Sequence, residues 1–517
     1  MPTIPVHFEY RTGLRGAAFV GARLTGSWNA QGMRSDQWST TQMQPFTADD
    51  GCPAFRATVQ LDDSQIGQTF RWGVSVSTQQ NPNIWGIPTE VSDAAANDRN
   101  RSFTLTGAGQ TNRYYLTHCR RLGANKLYGN GGQAPAIRFS VWAPNARAVE
   151  LVRGETTGGY IWNDGRGVTA TFPMTRGEDG VWSTNAADAG LADFAGFDHT
   201  AYMFRVTKDN GSVAYRTDLY SRCQIGNGKV NPEGAPPPGG GPWSGRRQDL
   251  DGVKSCSVVV DPERVAALMR EVDAQGQPVF PETQWQSDAD FWRDEFNPAR
   301  PVPGRLEDLV IYELHIDGLG LGDQPPDRRG TLDDAMNLLD YLVDLGVNAV
   351  ELMPLAEYEG WSSWGYGTSH YMAIEYAGGG RDQFKHFIKA CHQRGIAVLV
   401  DVVYNHYTPD GERAEWAYDS DAPETNIYYW YEGRATDYPN ANPPGSGGYI
   451  DNMSTGYAPR FWEESVRKMF ISSAAALLTE FHVDGFRVDQ TTSIHSYAVL
   501  HADGRAADSA RVFGAKF

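Results

Sequence analysis

The chain has 517 residues, a formal net charge of −18 and an aromatic content of 12%. This length predicts about three domains, and the negative charge argues against nucleic acid or an anionic membrane as a partner. The 15 tryptophans and 24 tyrosines suit packed cores, and they also suit a sugar-binding protein, because flat rings stack on pyranose faces.

The cysteines and the N-terminus bear on the cellular location. The five cysteines are scattered without the spacing of a metal site, which predicts reduced and mostly buried thiols. The first residues show no basic region followed by an apolar run, so no signal peptide is evident. No stretch is apolar over the length needed to span a bilayer. A soluble cytoplasmic protein without a membrane partner is therefore expected.

Residues 1–115 are predicted to form a β-sandwich. Short runs of alternating polarity, such as 55–61, are separated by Gly, Asn and Asp turns, and helical periodicity is absent. The segment at 25–29, Thr-Gly-Ser-Trp-Asn, resembles the Gly-Ser-Trp segment of starch-binding modules. That resemblance suggests a stacking platform for carbohydrate, made of Trp28, Trp72 and Trp85. The alternative is that one or two of these tryptophans belong to the core.

Residues 134–262 are predicted to form a second β-sandwich. The run at 137–146, Ile-Arg-Phe-Ser-Val-Trp-Ala-Pro-Asn-Ala, is followed by another strand-like run at 149–152. These segments resemble the opening of the small β-sandwich that precedes the catalytic barrel in branching enzymes, debranching enzymes and trehalohydrolases. The resemblance implies a carbohydrate-binding module. Residues 263–304 are expected to be a connector that begins with a short helix.

From residue 305 onward the pattern changes to alternating strands and helices. Helices are predicted to begin at Thr331, Gln383 and Glu463, and strands are predicted at 309–316, 347–354, 396–403 and 482–489, of which the first and last read as buried. Such alternation forms a parallel sheet, so residues 305–517 are predicted to be the first half of a (β/α)8 barrel. The long, aromatic-rich loop at 407–460 is predicted to form a lid over the strand ends.

Polar residues at the predicted strand ends indicate a catalytic site, because active sites of such barrels lie at the carboxyl ends of the strands. They are Asp-Val-Val-Tyr-Asn-His at 401–406, Arg-Val-Asp at 487–489 and Trp-Gly-Tyr at 364–366. Strand alternation places Arg487 and Asp489 on one face, where the guanidinium keeps the carboxylate ionised and oriented, as a nucleophile requires. The alternative for each segment alone is a structural ion pair, a cap or a packing residue.

The segments at 401–406 and 485–489 (Gly-Phe-Arg-Val-Asp) closely resemble characteristic regions of the α-amylase superfamily of glycoside hydrolases. The likeness covers roughly residues 134–517. It implies that Asp489 is the nucleophile of a covalent glycosyl-enzyme and that Arg487 orients it. It also implies substrate-binding roles, by hydrogen bonding or by stacking on the sugar, for Asp401, His406, Tyr366, Trp364 and Ser493.

The resemblance also bears on cofactors and partners. Asn405 resembles a position that ligates structural calcium in many α-amylases. Branching enzymes commonly lack that ion, so calcium is left open and no other cofactor is expected. The implied partner is an α-glucan polysaccharide or oligosaccharide.

A retaining mechanism needs a second carboxylate, about 5 Å from the nucleophile, that acts as acid and then as base. The superfamily places this glutamate after the fifth barrel strand. Asp489 lies near the end of the sequence, and residues 501–517 contain no glutamate. A longer enzyme, of which this chain is the N-terminal part, is therefore expected. The alternative is a natural half barrel without activity, which would leave sheet edges uncovered.

Within the superfamily the sequence favours a 1,4-α-glucan branching enzyme. The module at 134–262 precedes branching and debranching barrels rather than simple amylases, and branching enzymes resemble this chain in having serine at position 493. Against this, the segment at 401–406 is commoner in amylases, debranching enzymes and trehalohydrolases, so hydrolysis of α-glucans is an alternative. A non-catalytic glycogen-binding protein with an incomplete barrel is a further alternative.

Overall fold

A computed structural model of the chain describes residues 2–87, 100–129, 134–154, 161, 164–177, 179–225, 256–276, 279, 282–320, 330–358, 364–407, 417–442, 444–450 and 456–495.

The first unit is a β-sandwich, as predicted. Its strands are β1 (Thr3–Arg11), β2 (Gly21–Trp28), β3 (Arg34–Gln42), β4 (Gln44–Thr47), β5 (Pro53–Asp62), β6 (Thr69–Ser77), β7 (Ile84–Trp85), β8 (Arg101–Thr104) and β9 (Thr111–Tyr115). One sheet has the order β4-β5-β1-β9; the other has the order β3-β2-β6-β7, and β8 also pairs with β6.

Two of the tryptophans predicted to bind carbohydrate belong to the core of this first sandwich. Trp28 and Trp72 are each 2% exposed, and their rings lie 5.4 and 5.1 Å from the ring of Phe8. Because neither indole reaches solvent, the predicted stacking platform is wrong for these two residues. Trp85 is half-buried and lies against Gly73, where an added Cβ would stand 2.2 Å from the indole ring.

The second unit is also a β-sandwich. Its strands are β10 (Gly123–Leu127), β11 (Ala136–Trp142), β12 (Ala148–Gly154), β13 (Val168–Arg176), β14 (Val181–Thr184), β15 (Ala201–Thr207), β16 (Val213–Arg216), β17 (Gln224–Ile225) and β18 (Cys256–Val258). They follow the hydrogen-bonded path β10-β11-β14-β13-β12-β15-β18-β17, with β16 on β15. Alternate residues face inward, and Phe139, Leu151 and Phe204 have no exposed surface.

The connector contains a small hairpin where the sequence predicted a helix after Glu263. β19 (Arg264–Ala266) pairs with β20 (Trp285–Ser287), and helix α1 (Asp288–Trp292) follows. The Arg264 guanidinium lies 4.1 Å from the centre of the Trp285 ring, so a cation–π contact holds the two strands side by side. Pairing with the distant strand β20 thus takes the place of the helix that local propensity predicts.

The third unit is the first half of a (β/α)8 barrel, as predicted. Its elements are β21 (Ile311–Leu314), α2 (Leu332–Met336), α3 (Leu339–Leu345), β22 (Ala349–Leu352), β23 (Ala356–Tyr358), β24 (Thr368–Ile374), α4 (Gly380–Gln393), β25 (Ala397–Val402), α5 (Glu464–Thr479), β26 (Gly485–Val488) and α6 (Thr492–His495). The parallel sheet has the order β21-β22-β25-β26, and β23 and β24 form a separate antiparallel pair. The four strands therefore occur in the same order in the sheet and in the sequence.

The two outer strands of this sheet are more exposed than the sequence predicted. In β21, Ile311 is 43% and Tyr312 is 40% exposed, and in β26, Val488 is 39% exposed. The prediction of two buried strands is therefore wrong for these residues. Within the described part of the chain, β21 and β26 each pair with only one strand, so each has one uncovered edge.

The long loop after β25 packs against the second sandwich where the structure describes it. The Asn145 backbone N–H donates to Asp419 Oδ2 over 2.8 Å, and the Arg216 guanidinium donates to the carbonyl oxygen of Tyr418 over 3.1 Å. The ring of Tyr428 meets that of Trp142 edge-on, 5.8 Å away. These contacts anchor the described part of the loop to the second sandwich. They do not concern the strand ends, so a lid over those ends stays a prediction.

Two expectations about the whole chain concern its thiols and its location. All five cysteines are free and buried, which confirms the prediction of buried thiols. Within the described ranges, no helix has both the length and the apolar character needed to cross a membrane. The cytoplasmic location stays a prediction.

A buried histidine–carboxylate network ties the connector to the end of the barrel opposite the polar strand ends. His392 Nδ1 lies 2.8 Å from Glu295 Oε1, and its Nε2 lies 2.9 Å from Asp484 Oδ2. The same Glu295 accepts a second contact, 2.9 Å long, from His482. Burial lowers the pKa of His392, but hydrogen bonds to the two carboxylates more than compensate and raise it to about 9.

We expect the stability of the protein to fall between pH 6.5 and pH 9. A histidine whose folded pKa is raised stabilises the fold fully below its unfolded pKa of about 6.5, and this contribution is lost as the pH rises through about 9. The rise in the pKa of His392 corresponds to about 3 kcal/mol in the free energy of unfolding. Urea unfolding midpoints across this range should decrease in the wild type and change much less in His392→Gln. An equal decrease in that variant would contradict the assignment.

Candidate active site

The polar cluster forms where β25 and β26 lie side by side. These parallel strands are in register with Asp401 opposite Arg487 and Val402 opposite Val488. The backbone N–H of Asp489 donates to the carbonyl oxygen of Val402 over 3.1 Å, which fixes the residue just past the strand end. The strand pairing therefore brings Asp401 to the same place as Arg487 and Asp489, which lie far from it in the sequence.

Arg487 bridges the two carboxylates. Its Nη1 donates to Asp401 Oδ2 over 2.5 Å and to Asp489 Oδ1 over 2.7 Å. It also lies 3.2 Å from the hydroxyl oxygen of Tyr366, which in turn donates to Asp401 Oδ2 over 2.7 Å. The sequence predicted the pairing of Arg487 with Asp489, and the structure adds that the same guanidinium holds Asp401.

The other carboxylate oxygen of Asp489 is held by Asn405. The Asn405 amide donates to Asp489 Oδ2 over 2.9 Å and to its carbonyl oxygen over 3.2 Å. His406 lies behind this amide, with Nδ1 2.7 Å from Asn405 Oδ1 and Nε2 2.9 Å from the carbonyl oxygen of Tyr366. Each oxygen of Asp489 thus faces a hydrogen-bond donor, and both donors are positioned by further contacts.

Asp401 is a buried carboxylate with a raised pKa. Asp401 is 2% exposed, and burial raises its pKa to about 6, although the hydrogen bond from Tyr366 and the charge of Arg487 oppose this shift. Its Oδ1 is buried and has no hydrogen-bond partner within the described residues. A buried acceptor without a donor is costly, so this atom is suited to accept a hydroxyl group of a ligand.

We expect binding of a malto-oligosaccharide to weaken below about pH 6. Protonation of Asp401, whose pKa burial raises to about 6, removes the charged acceptor, so affinity should fall as the pH drops through that value. Calorimetric titrations between pH 4.5 and 7.5 measure the effect. The matched variant Asp401→Asn should bind more weakly and show no such pH dependence; the same pH dependence in that variant would contradict the role of Asp401.

Two further predicted site residues are not brought into the cluster. Trp364 is 63% exposed and adopts a positive φ of 55°, next to Gly365 with φ of 88°. A Cβ at Gly365 would stand 2.2 Å from the carbonyl oxygen of Pro354, so only glycine fits this turn. Ser493 is fully buried, and within the described residues its hydroxyl makes no hydrogen bond. Substrate contact of Ser493 and of Trp364 therefore stays a prediction.

The side chains around Asn405 give little support to calcium, which the sequence left open. Its amide oxygen faces His406 and its amide nitrogen faces Asp489, so both ends of the group are engaged by protein. Within the described parts of the chain, no three His, Cys, Asp or Glu side chains are grouped as a metal site requires. The donor set that the structure shows does not fit a hard cation.

Sequence reasoning missed two carboxylates on the same face of the sheet. Glu313 in β21 lies directly opposite Glu351 in β22, and both are two positions before the level of Asp401 and Arg487. Burial and the neighbouring charge of Glu313 raise the pKa of Glu351, and Arg487 opposes that shift. The sequence did contain a signal for them, because a single acidic residue inside an otherwise apolar strand is unusual.

A parallel half barrel with a bridged carboxylate pair at its strand ends is an arrangement that suits a carbohydrate-active barrel protein. Comparison with protein families agrees. Residues 279–512 match the family described as "Alpha amylase, catalytic domain", and residues 121–221 match carbohydrate-binding module 48, the isoamylase N-terminal domain. The chain thus carries a segment that matches the α-amylase catalytic domain, preceded by a segment that matches carbohydrate-binding module 48.

The curated relatives have more than one enzymatic activity. A malto-oligosyltrehalose trehalohydrolase from Arthrobacter ramosus is 30% identical over 70% of this chain and 45% of its own length. The 1,4-alpha-glucan branching enzyme GlgB of Corynebacterium efficiens is 26% identical over 75% of this chain and 42% of its own length. The chain therefore spans less than half the length of these relatives.

Solved structures show a weaker likeness. An α-amylase from Salmonella typhimurium, described as putative, has a TM-score of 0.44 at 22% identity and covers 73% of this chain and 45% of its own. The GBS pullulanase SAP, solved with maltotetraose, has a TM-score of 0.47 at 17% identity, and the match covers 93% of this chain and 53% of the pullulanase chain.

Proposed function

We propose that the cluster around Asp489 is the nucleophile half of a retaining α-glucan-active site. One observation carries this proposal: both carboxylate oxygens of Asp489 are held by donors, Oδ1 by Arg487 and Oδ2 by Asn405. Donors to both oxygens hold the carboxylate in place and fix the direction in which it can attack. These are the properties that a nucleophile for an anomeric carbon needs.

The residues around Asp489 have roles in holding the sugar. Asp401 Oδ1 is the buried acceptor without a partner among the described residues, and we assign it to a hydroxyl group of the sugar at the cleavage site. The half-buried ring of Tyr366 is assigned to stacking on that sugar, while its hydroxyl group orients Asp401. The family resemblance also assigns His406 to the same sugar; in this structure its two ring nitrogens lie against Asn405 Oδ1 and the carbonyl oxygen of Tyr366, so contact with the sugar requires one of these hydrogen bonds to be exchanged.

The acid/base carboxylate is assigned to no residue of this sequence. Protonation of the leaving oxygen requires a carboxyl group about 5 Å from the nucleophile in a retaining enzyme. Glu351 and Glu313 lie deeper in the sheet than the Asp401–Arg487 pair, at the level of Leu399 in β25. Their position suits neither contact with a leaving group nor delivery of water.

Two reactions follow from the same intermediate. Transfer of the glucan to a sugar hydroxyl, as in a 1,4-α-glucan branching enzyme, is the reaction that the sequence favours. Hydrolysis is the second candidate, because the trehalohydrolases among the relatives are 30–33% identical and the branching enzymes are 25–26% identical. The substrate in that case would be a malto-oligosaccharide that ends in trehalose.

Product analysis separates these reactions. Incubation of the whole protein with amylose, followed by iodine staining and by an assay for reducing ends, should show a loss of colour with few new reducing ends if the protein branches glucans. A proportional rise in reducing ends, or release of trehalose from malto-oligosyltrehalose, would replace branching by hydrolysis. Proton NMR of the first product should show the α-anomer; a β-anomer would contradict the retaining mechanism in either case.

A further inference from the structure

The turn that follows β25 packs against a second stretch of chain, at 456–460, from the far end of the long loop. Tyr407 and Tyr457 exchange two backbone hydrogen bonds, 2.8 and 3.2 Å long. Gly456 lies directly against the turn, since an added Cβ would stand 2.5 Å from the carbonyl oxygen of Tyr407 and 3.0 Å from Cδ2 of His406. Because this contact leaves no space for even a methyl group, the position of the turn depends on that of the facing stretch.

The facing stretch is held in turn by the middle of the loop. The N–H of Trp430 donates to the carbonyl oxygen of Ala458 over 2.8 Å, and the N–H of Arg460 donates to the carbonyl oxygen of Tyr428 over 2.8 Å. The ring of Tyr428 also meets the ring of Tyr407 edge-on, 6.3 Å away. The segment around Tyr428 therefore supports the turn both directly and through the facing stretch.

The second sandwich holds the segment at 417–428 by polar contacts. Asn145, which follows β11, donates from its backbone N–H to Asp419 Oδ2 over 2.8 Å and from its amide to Asp419 Oδ1 over 3.2 Å. The same amide donates to the carbonyl oxygen of Thr425 over 2.7 Å. Asp419 has no exposed surface, so these donors offset part of the cost of burying its carboxyl group.

The backbone at the start of this segment lies in an unfavourable conformation. Ala417 has a φ of 45°, in the left-handed region that alanine rarely adopts. The guanidinium of Arg216, in β16 of the second sandwich, donates to the carbonyl oxygens of Ala417 over 2.7 Å and of Tyr418 over 3.1 Å. A conformation of this kind persists where surrounding contacts impose it, and here the sandwich supplies such contacts.

We propose that the second sandwich positions the turn that holds the nucleophile, and that Asn145 is a positioning residue for the reaction. Asn145 fixes the segment that leads to Tyr428, and Trp142 meets the ring of Tyr428 edge-on, 5.8 Å away. The turn supported by Tyr428 begins with Asn405, whose amide donates to Asp489 Oδ2. This inference rests on the proposed role of Asp489, and it adds that a module outside the barrel sets the geometry of that carboxylate.

Kinetics of Asn145→Ala in the whole protein test this proposal. The substitution removes both contacts of the amide and keeps the backbone N–H. We expect kcat on malto-oligosaccharides to fall about tenfold, because a small displacement of a reacting group slows the chemical step, while KM changes by less than about threefold. The matched control Asn185→Ala, at an exposed asparagine of the same sandwich, should retain the wild-type kcat. A wild-type kcat in Asn145→Ala would overturn the proposal.

A double-mutant cycle with Asn405→Ala separates positioning from a loss of stability. Without the Asn405 amide the turn no longer holds Asp489 Oδ2, so Asn145→Ala should lower kcat by less than about twofold in that background. The same fold loss in both backgrounds would show that Asn145 only stabilises the fold, and it would overturn the positioning role.

Hydrogen exchange tests the same coupling without catalysis. In Asn145→Ala the backbone amides of Tyr407 and Tyr457 should exchange at least about threefold faster than in the wild type, whereas Asn185→Ala should leave them unchanged. Unchanged exchange in Asn145→Ala would overturn the proposal whether or not the wild type acts on α-glucans. Faster exchange, together with a wild type that does not turn over α-glucans, would support the coupling and contradict the proposed function alone.

Discussion

Asp489→Asn in the whole protein is expected to lower turnover of α-glucans by at least about 10⁴-fold, a loss of the size seen when a catalytic nucleophile is removed. The amide is close in shape to the carboxylate, so the hydrogen bond from Arg487 to Oδ1 of residue 489 can persist. The side-chain amide of the variant, however, is a poor nucleophile and carries no negative charge to stabilise the developing cation at the anomeric carbon. Initial rates on malto-oligosaccharides measure the effect.

Binding should survive this substitution, because the acceptor assigned to the sugar belongs to Asp401 and not to residue 489. The matched control is Asp340→Asn, which makes the same chemical change at a side chain that is 83% exposed on α3. The control should retain wild-type turnover. Turnover of Asp489→Asn within tenfold of the wild type would show that another group forms the intermediate.

Glu480→Gln is expected to destabilise the protein by about 3–5 kcal/mol, the penalty for removing one partner from a buried ion pair. Glu480 accepts two hydrogen bonds from Arg222, each 2.9 Å long, and Arg120 lies 3.3 Å away. All three side chains are less than a tenth exposed. Despite burial, the two arginines hold the pKa of Glu480 far below its usual range.

This ion-pair cluster joins separate units, which is why its loss should be felt throughout the chain. Arg222 belongs to the second sandwich, Arg120 to the link between the sandwiches, and Glu480 to the end of α5 beneath the barrel sheet. Urea unfolding followed by tryptophan fluorescence measures the shift. The control Glu307→Gln, at an ion pair that is 60% exposed, should move the midpoint little. A shift below about 1 kcal/mol for Glu480→Gln would contradict the importance of the cluster.

The sequence predicted the elements of the site better than their surroundings. Period-two alternation was enough to place Arg487 and Asp489 on one face of β26, because strand geometry is local. The contact of Arg487 with Asp401 depends on the register of two strands separated by a long loop, which local rules do not contain. The pairing of Asn405 with Asp489 is of the same kind.

Where the sequence-based prediction of exposure or burial was wrong, tertiary packing determined the result. The sequence pattern of Trp28 and Trp72 does not distinguish an exposed ring from a core ring, and the inward face of the first sandwich selected the core. The exposure of Ile311 and Val488 follows from their place on the outer strands of the sheet, which apolar composition alone does not reveal. Glu313 and Glu351 were missed because a carboxylate inside an apolar run was read as part of the strand.

Covalent trapping tests the assignment of Asp489 most directly. A 5-fluoro-α-maltosyl fluoride carries a leaving group that needs little help from an acid, so a correctly held nucleophile alone can attack it, and the second fluorine slows release of the sugar. Mass spectrometry of the digested protein should find one maltosyl adduct, on the peptide that contains Asp489, and none in Asp489→Asn. An adduct on another carboxylate, or an adduct that persists in the variant, would contradict the proposed nucleophile.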